Sequence, residues 1–100
     1  MVEDIRFGAF VWDGAKDRVN LRRHGLSFSD AVEAFADPRR IVARDDKHSQ
    51  EEERLFCIGL VKNGIATVRF TSRGNTVRVF GAGFWRKGRK IYEKTNLHRS

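Results

Sequence analysis

Several things are scarce in this chain of 100 residues, and each scarcity narrows its function. A single cysteine, Cys57, excludes an internal disulfide; set in the apolar run 55–61, it reads as a small buried side chain in a reducing compartment, the cytoplasm. No apolar run approaches the roughly 20 residues of a membrane-spanning helix. The opening residues, MVEDIRFGAFVWDG, mix acids into what would be the apolar core of a signal peptide. No glycine loop is built to cradle phosphate, because Gly81-Ala82-Gly83 lacks both the spacing and the Lys-Ser/Thr that should follow. There is no nucleophile elbow. Asp45-Asp46-Lys47-His48 matches no defined zinc or calcium loop, so neither metal nor cofactor is expected, and His48 reads as a loop hydrogen-bonding residue.

Acids are also scarce in one particular place. From Arg69 to Arg99 there are nine basic residues and one acid, Glu93, giving +8. The remainder, with eleven basic and twelve acidic residues, carries −1. The net charge of +7 is therefore concentrated in one block, which also holds Phe70, Phe80, Phe84, Trp85 and Tyr92. Cations interleaved with aromatic rings suit a polyanion with flat bases, charge for phosphate and rings for stacking. A solvated basic face is the plainer alternative.

The length predicts one domain over 1–100, with residues 97–100 as a frayed tail holding His98. Residues 5–12 read as a first strand or arm. Asp13 caps a helix that runs to about His24 and stops at Gly25. Ser27 opens a second helix with a reciprocal capping box to Asp30. Phe28, Ala31, Val32 and Phe35 form its apolar stripe, and Asp37-Pro38 ends it. Strands are predicted over 40–44, 54–62, 65–72 and 76–82, with Asp45 to Glu53 as an acidic loop. The turns fall at Asn63-Gly64 and at Arg73-Gly74-Asn75. A basic helix, weakened by Gly88, closes the chain from Arg86 to about Asn96. The fold class is α+β: an antiparallel meander with two N-terminal helices and one C-terminal helix.

RNA can be cut without metal when its 2′-hydroxyl attacks the adjacent phosphorus. Such a site needs cations on the phosphate and groups that move protons. Arg69, Arg73 and Arg78 come from one paired hairpin; Lys16, His24 and Tyr92 come from flanking helices. His24 equally suits a helix end, and each strand arginine a cross-strand ion pair. Trp85 is open between core anchor, base-stacking platform and partner contact.

Trp12-Asp13, Lys16, Asn20-Leu21, His24-Gly25, Phe28, Ala31, Phe35 and Asp37-Pro38 resemble the N-terminal half of BrnT toxins. Asp45, His48-Ser49, Glu52-x-Arg54, Ile58-Gly59, Thr71-x-Arg73-Gly74 and Val77-Arg78-Val79 resemble the second half. The resemblance spans about residues 7 to 94. It implies a RelE-like ribonuclease toxin of a type II toxin–antitoxin pair that arrests translation by cleaving RNA. The implied partner is a BrnA-type ribbon-helix-helix antitoxin, through which DNA is met only indirectly; the ribosome is a candidate partner. Lys16, Arg73 and Arg78 match the family's active-site positions, and Tyr92 its late tyrosine. His24, Arg69, Trp85, Arg86, Lys87 and Lys90 are the expected RNA contacts. One departure stands out: where many members carry arginine, this chain has Gly83, so Arg86 or Lys87 takes over that duty or activity is low. Two other readings remain: a non-catalytic nucleic-acid-binding module, and a toxin acting on a protein target.

Overall fold

The computed structural model describes residues 3–97, so His98 and Arg99 lie outside the described residues. The elements run β1 (Asp4–Phe7), β2 (Phe10–Asp13), α1 (Gly14–His24), α2 (Phe28–Ala31), β3 (Ile41–Arg44), β4 (Leu55–Val61), β5 (Gly64–Arg73), β6 (Thr76–Gly83) and α3 (Arg86–Asn96). The strands form one sheet in the order β1-β2-β6-β5-β4-β3. Strands β3 to β6 are the predicted antiparallel meander. The sheet as a whole is mixed, which corrects the all-antiparallel expectation: β2 runs parallel to β6, pairing Phe10 with Val77 and Trp12 with Val79. The helices are interspersed as well, since two strands precede α1. Residues 5–12 are therefore no single strand. Gly8, at φ +62, reverses the chain, and β1 folds back on β2.

Burial explains the parallel strand. Trp12 is buried against Phe28, and Phe10 packs on Phe35. Alternation then puts Val68, Phe70, Val79 and Cys57 on the same core face. Burial pushes the Cys57 thiol up to about 12, leaving it an inert core side chain.

The predicted caps are in place. Asp13 accepts from the Ala15 amide at 3.0 Å, Gly25 closes α1 at φ +68, and Ser27 Oγ accepts from the Asp30 amide at 3.1 Å. The reciprocal half of the capping box is not made. Asp30 reaches Lys62 instead, at 3.8 Å, and the Phe28 amide donates to Asp17 at 2.8 Å. The second helix holds one α turn and then tightens into a 3-10 segment, Val32–Ala36. It lies hard against the sheet, where a Cβ at Gly59 would come within 2.5 Å of the Ala34 carbonyl oxygen.

The β4–β5 turn sits one residue earlier than predicted. Lys62 takes the positive φ, +55, while Gly64 already pairs with Val61. Gly64 is needed for close approach instead, because a Cβ there would meet the Phe84 ring at 2.8 Å. Gly88 serves the same end inside α3, letting the helix rest on Thr67. Among the described residues no helix is long and apolar enough to cross a membrane.

Candidate functional site

The sheet face opposite the core carries Arg69 and Thr71 from β5 and Arg78 and Phe80 from β6, by alternation with the buried residues. Helix α3 covers part of this face over Ile58 and Thr67. Helix α1 closes one flank. Asn20 on α1 donates to the Ala82 carbonyl at 2.8 Å and accepts from the Ala82 amide at 3.2 Å. That amide group completes the edge of β6 where β2 has ended. The loop after β3 closes the other flank through Thr71, whose hydroxyl donates to the Glu53 carbonyl at 2.7 Å.

Two depressions lie in the uncovered part. The first, about 340 Å³, is lined by Lys16, Arg23 and His24 of α1, by Arg69 and Phe80, and by Trp85. A bulge beside Arg69 and Phe70 shapes it. It leaves Gly81 against Arg69, where a Cβ would touch the guanidinium at 3.8 Å. Lys16 Nζ stands 5.7 Å from the Phe80 centroid, and His24 meets Trp85 edge-on at 5.3 Å. Among the described residues, Lys16, Arg23 and Arg69 have no carboxylate partner.

The second depression, about 440 Å³, is lined by His48, Gln50, Glu51, Glu52, Arg54 and Arg73. Here both arginines have a carboxylate partner. Arg73 grips Glu52 with two hydrogen bonds, at 2.8 and 3.1 Å, and Arg54 stands 3.8 Å from the same carboxylate. The hydrogen-bonded Arg73 guanidinium holds the Glu52 carboxyl below its ordinary range against a partial desolvation cost, and the fields of Arg73, Arg54 and Arg78 add to this. Glu52 thus occupies an anion position ringed by three arginines. Arg78 itself pairs with Asp4 of β1 at 2.9 Å. His48 Nδ1 lies 2.8 Å from Oδ2 of the buried Asp45. The two depressions meet at one contact: the Arg54 guanidinium stacks 3.9 Å from the centroid of Phe80.

The structure therefore gathers Lys16, His24, Arg69 and Trp85 into one depression and places Arg73 in the other, while Arg78, outside that lining, acts on Glu52 through its charge. It does not bring Tyr92 there. Tyr92 is buried on α3 and donates to Asp37 Oδ2 at 2.6 Å, while the Leu60 and Arg39 amides donate to the same carboxylate. Burial alone would raise the Asp37 carboxyl; these bonds and the Arg39 charge outweigh it and hold it below its ordinary value of 3.8. Arg86 and Lys90 are exposed on α3, and Lys87 borders a separate apolar hollow with Phe56, Ile58 and Ile91. A Cβ at Gly83 would meet the Trp85 indole at 2.5–2.8 Å. The ring of Trp85 fills the space that a side chain at position 83 would enter, and it carries that space over to His24. Sequence reasoning left Arg54 and His48 out of the site. The only signal for either was their place in the motif around residues 45–54.

The model of the ribonuclease toxin BrnT, of type II toxin–antitoxin systems, matches residues 12–88. The chain belongs to this family. The match takes in every element from Trp12 in β2 to the start of α3, and with it both depressions. A search of the curated proteins gives no significant match. The family places the chain among type II toxins that act as ribonucleases, with an antitoxin as partner and RNA as substrate.

Proposed function

We propose that this chain is a metal-independent endoribonuclease that arrests translation, and that a BrnA-type antitoxin silences it in the cytoplasm by covering the basic face. The observation that carries the reading is the joined pair of depressions. One offers unpaired cations beside aromatic rings; the other offers arginines already arranged around an anion. In this reading RNA lies along the groove. Arg69, Arg23 and His24 meet its backbone, and Trp85 and Phe80 stack its bases. The exposed Arg86, Lys87 and Lys90 extend the docking surface. The scissile phosphate displaces Glu52 from Arg73, with Arg54 and Arg78 beside it, so charge building on the phosphorane meets guanidinium groups already in place. Lys16, fixed in the first turn of a capped helix and set over Phe80, adds charge or moves a proton at the same phosphate. Tyr92 serves by holding α3 to Asp37.

The test is cleavage of a defined RNA by the purified full-length chain in EDTA, with the new ends mapped. A 2′,3′-cyclic phosphate facing a 5′-hydroxyl is the expected product. RNA that is bound but left intact would return the chain to the non-catalytic binding module. Antitoxin association that does not slow as salt rises would remove electrostatic covering as the means of silencing.

A further inference from the structure

We propose that His48, held by Asp45, is the general base that takes the proton from the attacking 2′-hydroxyl. The inference deepens the ribonuclease reading and rests on it. Four observations carry it. Asp45 is a nearly buried carboxylate whose amide donates to the Arg54 carbonyl at 2.8 Å, so its position is fixed by the backbone next to β4. Ser49 Oγ ties the same loop shut, donating to the Asp45 carbonyl at 2.7 Å and accepting from the Arg54 amide at 2.9 Å. The Asp45 carboxylate engages His48 Nδ1 at 2.8 Å, while the side chain of His48 is half exposed, at 52 %. The imidazole also lines the depression in which Arg54, Arg73 and Glu52 define an anion position.

Such a carboxylate does for a histidine what an orienting acid does in any carboxylate–imidazole pair. It accepts a hydrogen bond from Nδ1–H, fixes the tautomer with the lone pair on Nε2, and stabilises the imidazolium that forms. Among the described residues Nε2 has no hydrogen-bond partner. Asp45 holds the ring, and the charged groups that line the hollow with it are Glu51 and Glu52 of the loop, Arg54 just before β4 and Arg73 of β5. His48 thus lines the same hollow as Arg54 and Arg73, the arginines proposed to bind phosphate. A hydrogen bond that serves only to close a loop needs no such hollow.

The step balances without a co-reactant. His48 Nε2 accepts the 2′-hydroxyl proton as the O2′–P bond forms. The P–O5′ bond breaks, its electron pair leaves with O5′, and O5′ takes a proton from water. The imidazolium later returns its proton to solvent, leaving a 2′,3′-cyclic phosphate and a 5′-hydroxyl.

The experiment compares the full-length parent with His48→Ala and Asp45→Asn in single-turnover cleavage of an RNA oligonucleotide in EDTA, across pH. Each is also tested for binding to the same oligonucleotide with 2′-deoxy sugars, which cannot be cut. His48→Ala should lower the rate by about 10²–10⁴-fold, the usual contribution of a positioned acid–base group. It should lose the histidine limb of the pH–rate profile, regain rate with added imidazole, and bind the 2′-deoxy strand like the parent. Asp45→Asn keeps the shape but cannot stabilise the imidazolium; it should lower the rate less and shift that limb. A His48→Ala variant that cleaves at the parent rate overturns the inference and leaves the ribonuclease reading standing. A loss confined to 2′-deoxy binding, or a loss that imidazole does not restore in a variant melting like the parent, also overturns it. A parent that binds RNA without cutting it overturns the ribonuclease reading, and the inference with it.

Discussion

The two depressions on the open sheet face share the Arg54–Phe80 stack and differ in almost everything else. Beside α1, the cations Lys16, Arg23 and Arg69 have no carboxylate partner among the described residues, and Phe80 and Trp85 line the walls. Beside the acidic loop, Arg73 is doubly bonded to Glu52, Arg78 is bonded to Asp4, and a histidine is held by a buried acid. Unpaired cations on a surface give long-range attraction and little geometric definition. Paired guanidinium groups are directionally fixed before any ligand arrives, and preorganised charge of that kind lowers a barrier most. Under the proposed function this contrast becomes a division of labour: grip near α1, chemistry near the loop.

The largest effect is expected where charge is preorganised. Arg73→Ala and Arg78→Ala should each lower cleavage about a hundredfold or more, the usual cost of one such donor, at unchanged folding. Growth arrest on expression gives the first readout. Arrest equal to the parent, at equal soluble levels, would remove both arginines from the chemistry.

Lys16 sits between the two proposed roles: it lines the depression beside α1, yet it is proposed to act at the scissile phosphate. Lys16→Met should lower the single-turnover rate by at least about tenfold, since one positioned proton-moving or charged group contributes that much or more. An unchanged rate with weaker binding would assign Lys16 wholly to grip and sharpen the boundary.

Trp85→Ala should weaken RNA binding by roughly 1–3 kcal/mol, the usual worth of one stacked base, with little change in the saturated rate. Because Trp85 also fills the space over Gly83, Trp85→Phe should recover most of the binding.

The smallest effect on activity belongs to Tyr92→Phe. It removes the hydroxyl from Asp37 and should cost about 1–2 kcal/mol of stability while RNA cleavage by the folded fraction stays at the parent rate. The Asp37 carboxyl is lower in the folded chain than when unfolded, so its contribution is present above pH 3.8 and is lost as pH falls through the folded value. In the variant, thermal melts should show a smaller loss of stability on acidification. A cleavage defect beyond the stability loss would return Tyr92 to the chemistry.

Much of the fold was legible because its signals are local. Asp13, Gly25 and Ser27 act on amides or dihedrals within a few residues, and the alternation of Val68 and Phe70 with Arg69 and Thr71 needs only a two-residue period. What escaped depends on residues far apart in the chain. The parallel pairing of β2 with β6 joins Trp12 to Val79. The turn at Lys62 moved because Gly64 had to lie under Phe84, twenty residues on. The tightening of the second helix follows from the close approach of Ala34 to Gly59.

The site divides in the same way. Clustered charge and aromatics pointed to the depression beside α1. The three arginines whose charge acts on Glu52 come from the loop end before β4, from β5 and from β6, and no local pattern announces that meeting. Tyr92 was drawn to the site by its place in a motif, and burial on Asp37 sets its position instead. His48 makes the loop hydrogen bond that its place among acids suggests; the hollow beside it depends on Arg73, twenty-five residues on in the chain.

The most direct test of the division is a paired measurement on Arg69→Ala and Arg73→Ala: the saturating single-turnover cleavage rate in EDTA, and the Kd for the uncleavable 2′-deoxy strand. Arg69→Ala should raise Kd and leave the saturated rate near the parent's. Arg73→Ala should lower the rate about a hundredfold with a Kd close to the parent's. Equal losses of rate and affinity in both variants would contradict the division, and the groove would then be one undivided binding surface.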